Sequence, residues 1–112
     1  MNNTDLYYSC THATFTINDF GYIGGGIVNS AGNTVYTTAT AIPTAKWYKY
    51  DPINNQFYSI ADYPNSATNA IYNGVAFSAA GKGFYLKMDQ LWKYDPDANS
   101  WSNTNRGYPL AN

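Results

Sequence analysis

Short runs of alternating apolar and polar residues, broken at close intervals by glycine, asparagine or proline, fill most of the chain. ATFTI (13–17) and GVAFS (74–78) alternate side chains of different size, and GYIGG (21–25) and GFYLK (83–87) follow glycine-type turns. KWYKYD (46–51) and LWKYD (91–95) are dense in aromatics, and QFYSI (56–60) and SWSNT (100–104) each follow a turn. Period-two alternation with aromatic and β-branched enrichment predicts strands. No window carries a capped apolar stripe of helical period, so the pattern predicts an all-β chain with essentially no helix.

The strands come in two sets. YKYDPINNQF (48–57) aligns without a gap on WKYDPDANSW (92–101) at an offset of 44, and the Tyr63-Pro64 pair is answered by Tyr108-Pro109 at 45. Upstream, ATFTINDFGYI (13–23) aligns on VAFSAAGKGFY (75–85) at an offset of 62, matching Phe15 with Phe77 and Gly21 with Gly83. The two offsets differ by 18 residues, which places an insertion between Ile23 and Lys49 in the first copy only. The chain therefore reads as one unit of two repeats, 1–66 with an inserted loop over 24–46, and 67–112.

The YDPxxN motif has a mechanical reading. An Asp at a strand end accepts from amides ahead of it, Pro presets φ for the first corner of a type I turn, and Asn tolerates the left-handed conformation that reverses the chain. Tyr50, Asp51, Pro52, Asn55 and Phe57 supply the parts once, and Tyr94, Asp95, Pro96, Asn99 and Trp101 supply them again. The aromatic after each Asn opens the return strand and is expected to bury its ring under the turn.

A four-stranded repeat with a glycine-flanked second strand, a YDP hairpin and an aromatic on the fourth strand resembles the kelch repeat. GYIGGG (21–26), with Gly24 and Gly25 as the double glycine, and the two YDP stretches carry the resemblance, together with GFYLK (83–87). CTHATF (10–15) is similar to the kelch segment that often places a His before the first strand, which implies a structural role for His12. The second copy departs from the pattern, with Lys87-Met88 standing where the first has Gly24-Gly25. The resemblance implies two four-stranded antiparallel blades of a β-propeller, incomplete unless oligomerised or part of a longer chain.

Propellers of this type close with more blades than two, and repeat units cannot bury their faces alone. Four strands ~17 Å long and ~4.8 Å apart present roughly 320 Å² per face. At ~25 cal/mol/Å² a bare apolar face forfeits about 8 kcal/mol, comparable to the whole stability of a small domain. The expected partners are thus copies of the chain itself, joined head to tail with a trimer of six blades favoured, or the remaining blades of a longer chain.

Composition narrows the function classes. Aromatics reach 18%, with twelve Tyr, whereas charged residues fall to 12%, about half of the ~25% usual in soluble domains. Six basic against seven acidic residues offer no positive field for nucleic acid. No run of eighteen apolar residues predicts membrane insertion, and MNNTDLYYSC lacks the basic start and apolar segment of a secretory signal. The compartment stays open, although the Tyr-, Asn- and Thr-rich composition suits an extracellular bacterial surface. One cysteine and one histidine, Cys10 and His12, supply neither an internal disulfide nor a multi-ligand metal site, so no metal and no cofactor are expected.

Kelch-like propellers include copper oxidases of the galactose oxidase type, whose centre needs histidines and a Cys-linked Tyr that this chain does not supply. Sialic acid epimerase-like propellers use acidic and basic groups of the channel, but Arg106 is the sole arginine and Asp51 and Asp95 are committed to turns. No poised acid–base pair is evident, and no catalytic residue is assigned. The reading is a non-catalytic module recognising a protein or glycan through inter-strand loops. The alternatives are an inert structural fragment of a larger propeller and part of a carbohydrate-active propeller enzyme. Candidate binding residues lie in the insertion, where Asn29, Asn33, Tyr36, Thr37, Thr38 and Thr40 set amides and hydroxyls beside an aromatic. SAGNT (30–34) is expected to turn between GIVN (26–29) and VYTTAT (35–40).

Overall fold

The computed structural model describes residues 9–10, 12–29, 41–64, 74–87 and 90–107, with residues 9–10, 27–29 and 41–43 described by their backbone alone. Eleven strands follow one another in these segments: β1 (Ser9–Cys10), β2 (Ala13–Ile17), β3 (Phe20–Gly24), β4 (Ile27–Asn29), β5 (Ala41–Pro43), β6 (Trp47–Asp51), β7 (Gln56–Ser59), β8 (Gly74–Ala79), β9 (Lys82–Lys87), β10 (Gln90–Asp95) and β11 (Ser100–Asn103). No helix occurs among the described residues. Two four-stranded antiparallel sheets, β2-β3-β6-β7 and β8-β9-β10-β11, match the two blades that the repeats predict. A small third sheet, β1-β4-β5, is built largely from the insertion.

Each main sheet is a meander whose first turn follows from two left-handed residues. Ile17 pairs with Phe20 across Asn18 and Asp19, whose φ angles are 50° and 68°. Ala79 pairs with Lys82 across Ala80 and Gly81, at 52° and 74°. Positive φ at both central positions is the signature of a type I′ hairpin, whose twist suits the strands it joins. The last hairpin of each sheet spans four residues, between Asp51 and Gln56 and between Asp95 and Ser100. Both sheets then extend by one further bond, Ile60 N–H donating to Trp47 O at 3.1 Å and Thr104 N–H to Leu91 O at 3.1 Å.

Register sorts each sheet into two faces, because paired residues point the same way and neighbours along a strand point oppositely. The face carrying Phe15 in the first sheet, here its front, also holds Ala13, Ile17, Phe20, Tyr22, Trp47 and Lys49. Gly21, Ile23, Tyr48, Tyr50 and Phe57 form its back. In the second sheet Val75, Phe77, Phe84, Leu86, Leu91 and Lys93 form the front, and Ala76, Gly83, Tyr85, Trp92, Tyr94 and Trp101 the back.

The sheets stack front to back, β2 lying against β8 and β9. Phe15 sits where a Cβ on Gly83 would fall, so glycine there admits the ring. Around that seat Trp47 meets Tyr85 and Trp101, each with ring centroids 5.2 Å apart, and Phe15 stacks on Tyr22 at 5.0 Å. Tyr63, after β7, closes the far side edge-on to Tyr85 at 4.9 Å. Trp47 and Tyr85 are wholly buried. Ring pairs in tilted and edge-on arrangements give this core its cohesion as well as its buried area.

Two expectations change in detail. Ala13 pairs with Gly24 as Val75 pairs with Leu86, so Leu86 and Lys87, rather than Lys87 and Met88, stand where the first copy has Gly24 and Gly25, as the offset of 62 requires. The reason is that hairpin length fixes register, and both first turns contain two residues. In the insertion, β4 takes AIP (41–43) as its partner through Val28↔Ile42, and the expected SAGNT turn and VYTTAT strand lie outside the described residues.

Candidate functional site

The repeated corners share one set of turn bonds. Asp51 accepts from the Ile53 and Asn54 amides at 2.9 and 3.3 Å, and Asp95 from those of Asp97 and Ala98 at 3.0 and 3.4 Å. Asn55 and Asn99 take φ of 53° and 49°, and each accepts a tyrosine hydroxyl, Tyr50 or Tyr94, at 2.8 Å. The Asn54 side-chain amide holds the Asp51 carboxyl below its usual range, backed by the turn amides and Lys49 against partial desolvation. Desolvation pushes the Asp95 carboxyl up, but the turn amides and Lys82, at 3.4 Å, outweigh it and hold it low. Pro52 and Pro96 stand at the first corner position of each turn. Phe57 and Trp101 are half-buried against Tyr50 and Tyr94, with centroids 4.9 and 5.1 Å apart. These two carboxylates are engaged in holding turns.

The second corner does more than the first. Asn99 Oδ1 also accepts the Ala61 amide at 2.9 Å, and Trp101 Nε1–H donates to Ala61 O at 2.9 Å, so this corner clamps the first sheet. The double glycine and the histidine are structural as well. Gly25, at φ 65°, lies where a Cβ would come 2.6 Å from the Tyr85 hydroxyl, and its carbonyl is 2.9 Å from His12 Nδ1.

Where the sheets meet at the turn end lie two depressions, a pocket and a groove, whose linings share Ile17 and Asn18. The first, about 240 Å³, lies between the two type I′ turns and is lined by Thr16, Ser78, Ala80 and Gly81 besides the shared pair. The second, about 180 Å³, is lined by Phe20, Tyr22, Lys49, Pro96 and Asp97. Lys49 holds its ammonium 4.8 Å from the centre of the Phe20 ring and 5.7 Å from that of Tyr58. Burial, and then the Asp97 carboxylate, raise the Tyr22 hydroxyl above its ordinary pKa, keeping it a neutral donor. Behind it, burial and then Tyr22 and Asp95 push Tyr94 up to about 12. The groove thus offers two aromatic rings, an ammonium, a carboxylate, the Tyr22 hydroxyl and the Asn18 amide.

None of these groups belongs to the insertion. Asn29 lies on β4, and Asn33, Tyr36, Thr37, Thr38 and Thr40 lie outside the described residues. The sequence reading missed the groove because its lining comes from β2, β3, β6 and the β10–β11 corner, which adjoin only once the sheets stack. One signal was present: the aligned copies put Asn18-Asp19 and Ala80-Gly81 at the same turn. Among the described residues, no group of three or more His, Cys, Asp or Glu is placed to hold a metal ion. The chain matches no protein-family model and no curated protein.

Proposed function

We propose that the chain is a non-catalytic recognition module built from kelch-type propeller blades, binding a glycan, or a protein segment of similar polarity, through its inter-strand turns. The observation that carries this reading is the groove at the turn end, where Phe20 and Tyr22 lie beside Lys49, Asp97 and Asn18. Such a combination suits a ligand with one apolar face and many hydroxyls, because rings cover the face while fixed polar groups set orientation. The opposite charges of Lys49 and Asp97 favour a neutral ligand. Rigidity comes from two corners that share the same turn bonds, and rigid scaffolds commonly carry their binding residues on connecting turns.

A glycan array probed with the chain, followed by titration of the best neutral oligosaccharide, tests the proposal. Phe20→Ala and Lys49→Gln are each expected to weaken binding by at least about tenfold. Absence of any array signal, or affinities unchanged in both variants, would remove the groove from consideration.

A further inference from the structure

The stacking of the two sheets leaves a front and a back that were built for the same joint. Inside the chain, Phe15 of the first front fills the space above Gly83 of the second back. Phe77, at the Phe15 position, is instead 46% exposed on the second front, and Val75 beside it is 60% exposed. Among the described residues Phe77 stacks along its own sheet, on Phe84 at 5.2 Å. With Leu86 and Leu91, these residues make an apolar face of the kind that monomeric proteins seldom leave to water. On the first back, Gly21 stands at the Gly83 position. Among the described residues a Cβ there would find nothing nearer than Tyr50 Cβ at 3.9 Å, so no described ring fills at Gly21 the seat that Phe15 fills at Gly83. Ile23, Tyr50 and Phe57 flank that seat, half-buried, as Tyr85, Tyr94 and Trp101 flank Gly83.

We propose that the front of the second sheet docks on the back of the first sheet of a second copy, Phe77 entering the seat over Gly21 as Phe15 enters the seat over Gly83. The occupant is another copy of this chain because each chain carries both halves of a joint whose geometry it already displays internally. The contact is heterologous, since a front meets a back, so it grows head to tail and closes when the rotation returns to the start. Three copies give a six-sheet ring. The intermolecular seam has one hydrogen bond fewer than the internal one, because Phe57 lacks the N–H with which Trp101 reaches Ala61. Unlike the groove reading, this joint involves no ligand, and the two stand or fall separately.

Two variants with complementary defects test the direction of the contact. Phe77→Asp spoils the front and Gly21→Leu the back, both at positions outside the internal joint, and Val75→Asp, at a more exposed position, repeats the first lesion should Phe77→Asp fail to fold. In sedimentation velocity the unaltered chain should associate, while each variant, with an unchanged far-ultraviolet spectrum, should associate at least about 30-fold more weakly. Mixed in equal amounts, the two should form a one-to-one dimer that grows no further, the sound front of one meeting the sound back of the other. Self-association of Gly21→Leu at the unaltered strength would overturn the proposal in favour of a front-to-front contact. An unaltered chain that stays monomeric at ~100 µM would overturn it as well, leaving the face to a different sheet-bearing partner.

Discussion

Gly21 and Gly83 hold the same register position in two sheets of the same build, yet only Gly83 lies against a ring. The second back, with Tyr85, Tyr94 and Trp101, closes on Phe15 and Trp47. On the first back Tyr48 is buried, but Ile23, Tyr50 and Phe57 are only half-buried, and no ring lies over Gly21 among the described residues. The difference lies in position along the stack rather than in strand chemistry. It teaches that a glycine conserved between two copies can record a contact one copy makes and the other awaits.

Substitution at the two glycines separates them most strongly. Gly83→Val sets a branched side chain into the Phe15 ring and should cost about 3 kcal/mol in urea denaturation, the upper range for overpacking a core. Gly21→Val, measured in dilute solution, should change stability by less than about 0.5 kcal/mol, as surface substitutions do. Equal losses at both sites would erase the distinction between filled and open seats.

The corners differ by a smaller margin. Asn99→Ala removes the acceptor for both the Tyr94 hydroxyl and the Ala61 amide and puts alanine at φ 49°, so about 2 kcal/mol should be lost. Asn55→Ala puts alanine at φ 53° in the same way but strips the Tyr50 bond without any bond to the other sheet, and should lose about 1 kcal/mol. A reversed order would show that Asn99 does not clamp the sheets.

The smallest effect concerns the type I′ turns. Ala80 takes φ 52° without the side-chain amide that makes Asn18 comfortable in the same place. Ala80→Asn should therefore raise stability by about 0.5 kcal/mol, seen as a higher denaturation midpoint with an unchanged slope. A loss there would mean that the turn is held by something other than its backbone preference.

Much of the fold was legible because the chain states it twice. The offsets of 44 and 62 located the strands, the insertion and the corners, and the Asp, Pro and Asn of each corner occupy the turn positions read from their chemistry. The double glycine of the first copy answers Leu86-Lys87, as the offset of 62 requires, and not Lys87-Met88; two first turns of equal length hold that register. The groove was not legible: Phe20, Lys49 and Asp97 come from different elements, and only stacking sets them side by side. The two-faced character of each sheet was half legible. Alternation marked which residues share a face, but the front-to-back sense of stacking depends on which glycine receives which phenylalanine.

The central claim is that the second sheet turns outward the same face that the first turns inward, and that this face is met by a second copy. Light scattering on the unaltered chain, over a concentration series with mass read at each point, tests it most directly. The account predicts a rise to three times the chain mass and a plateau there; a mass fixed at one chain throughout would contradict it.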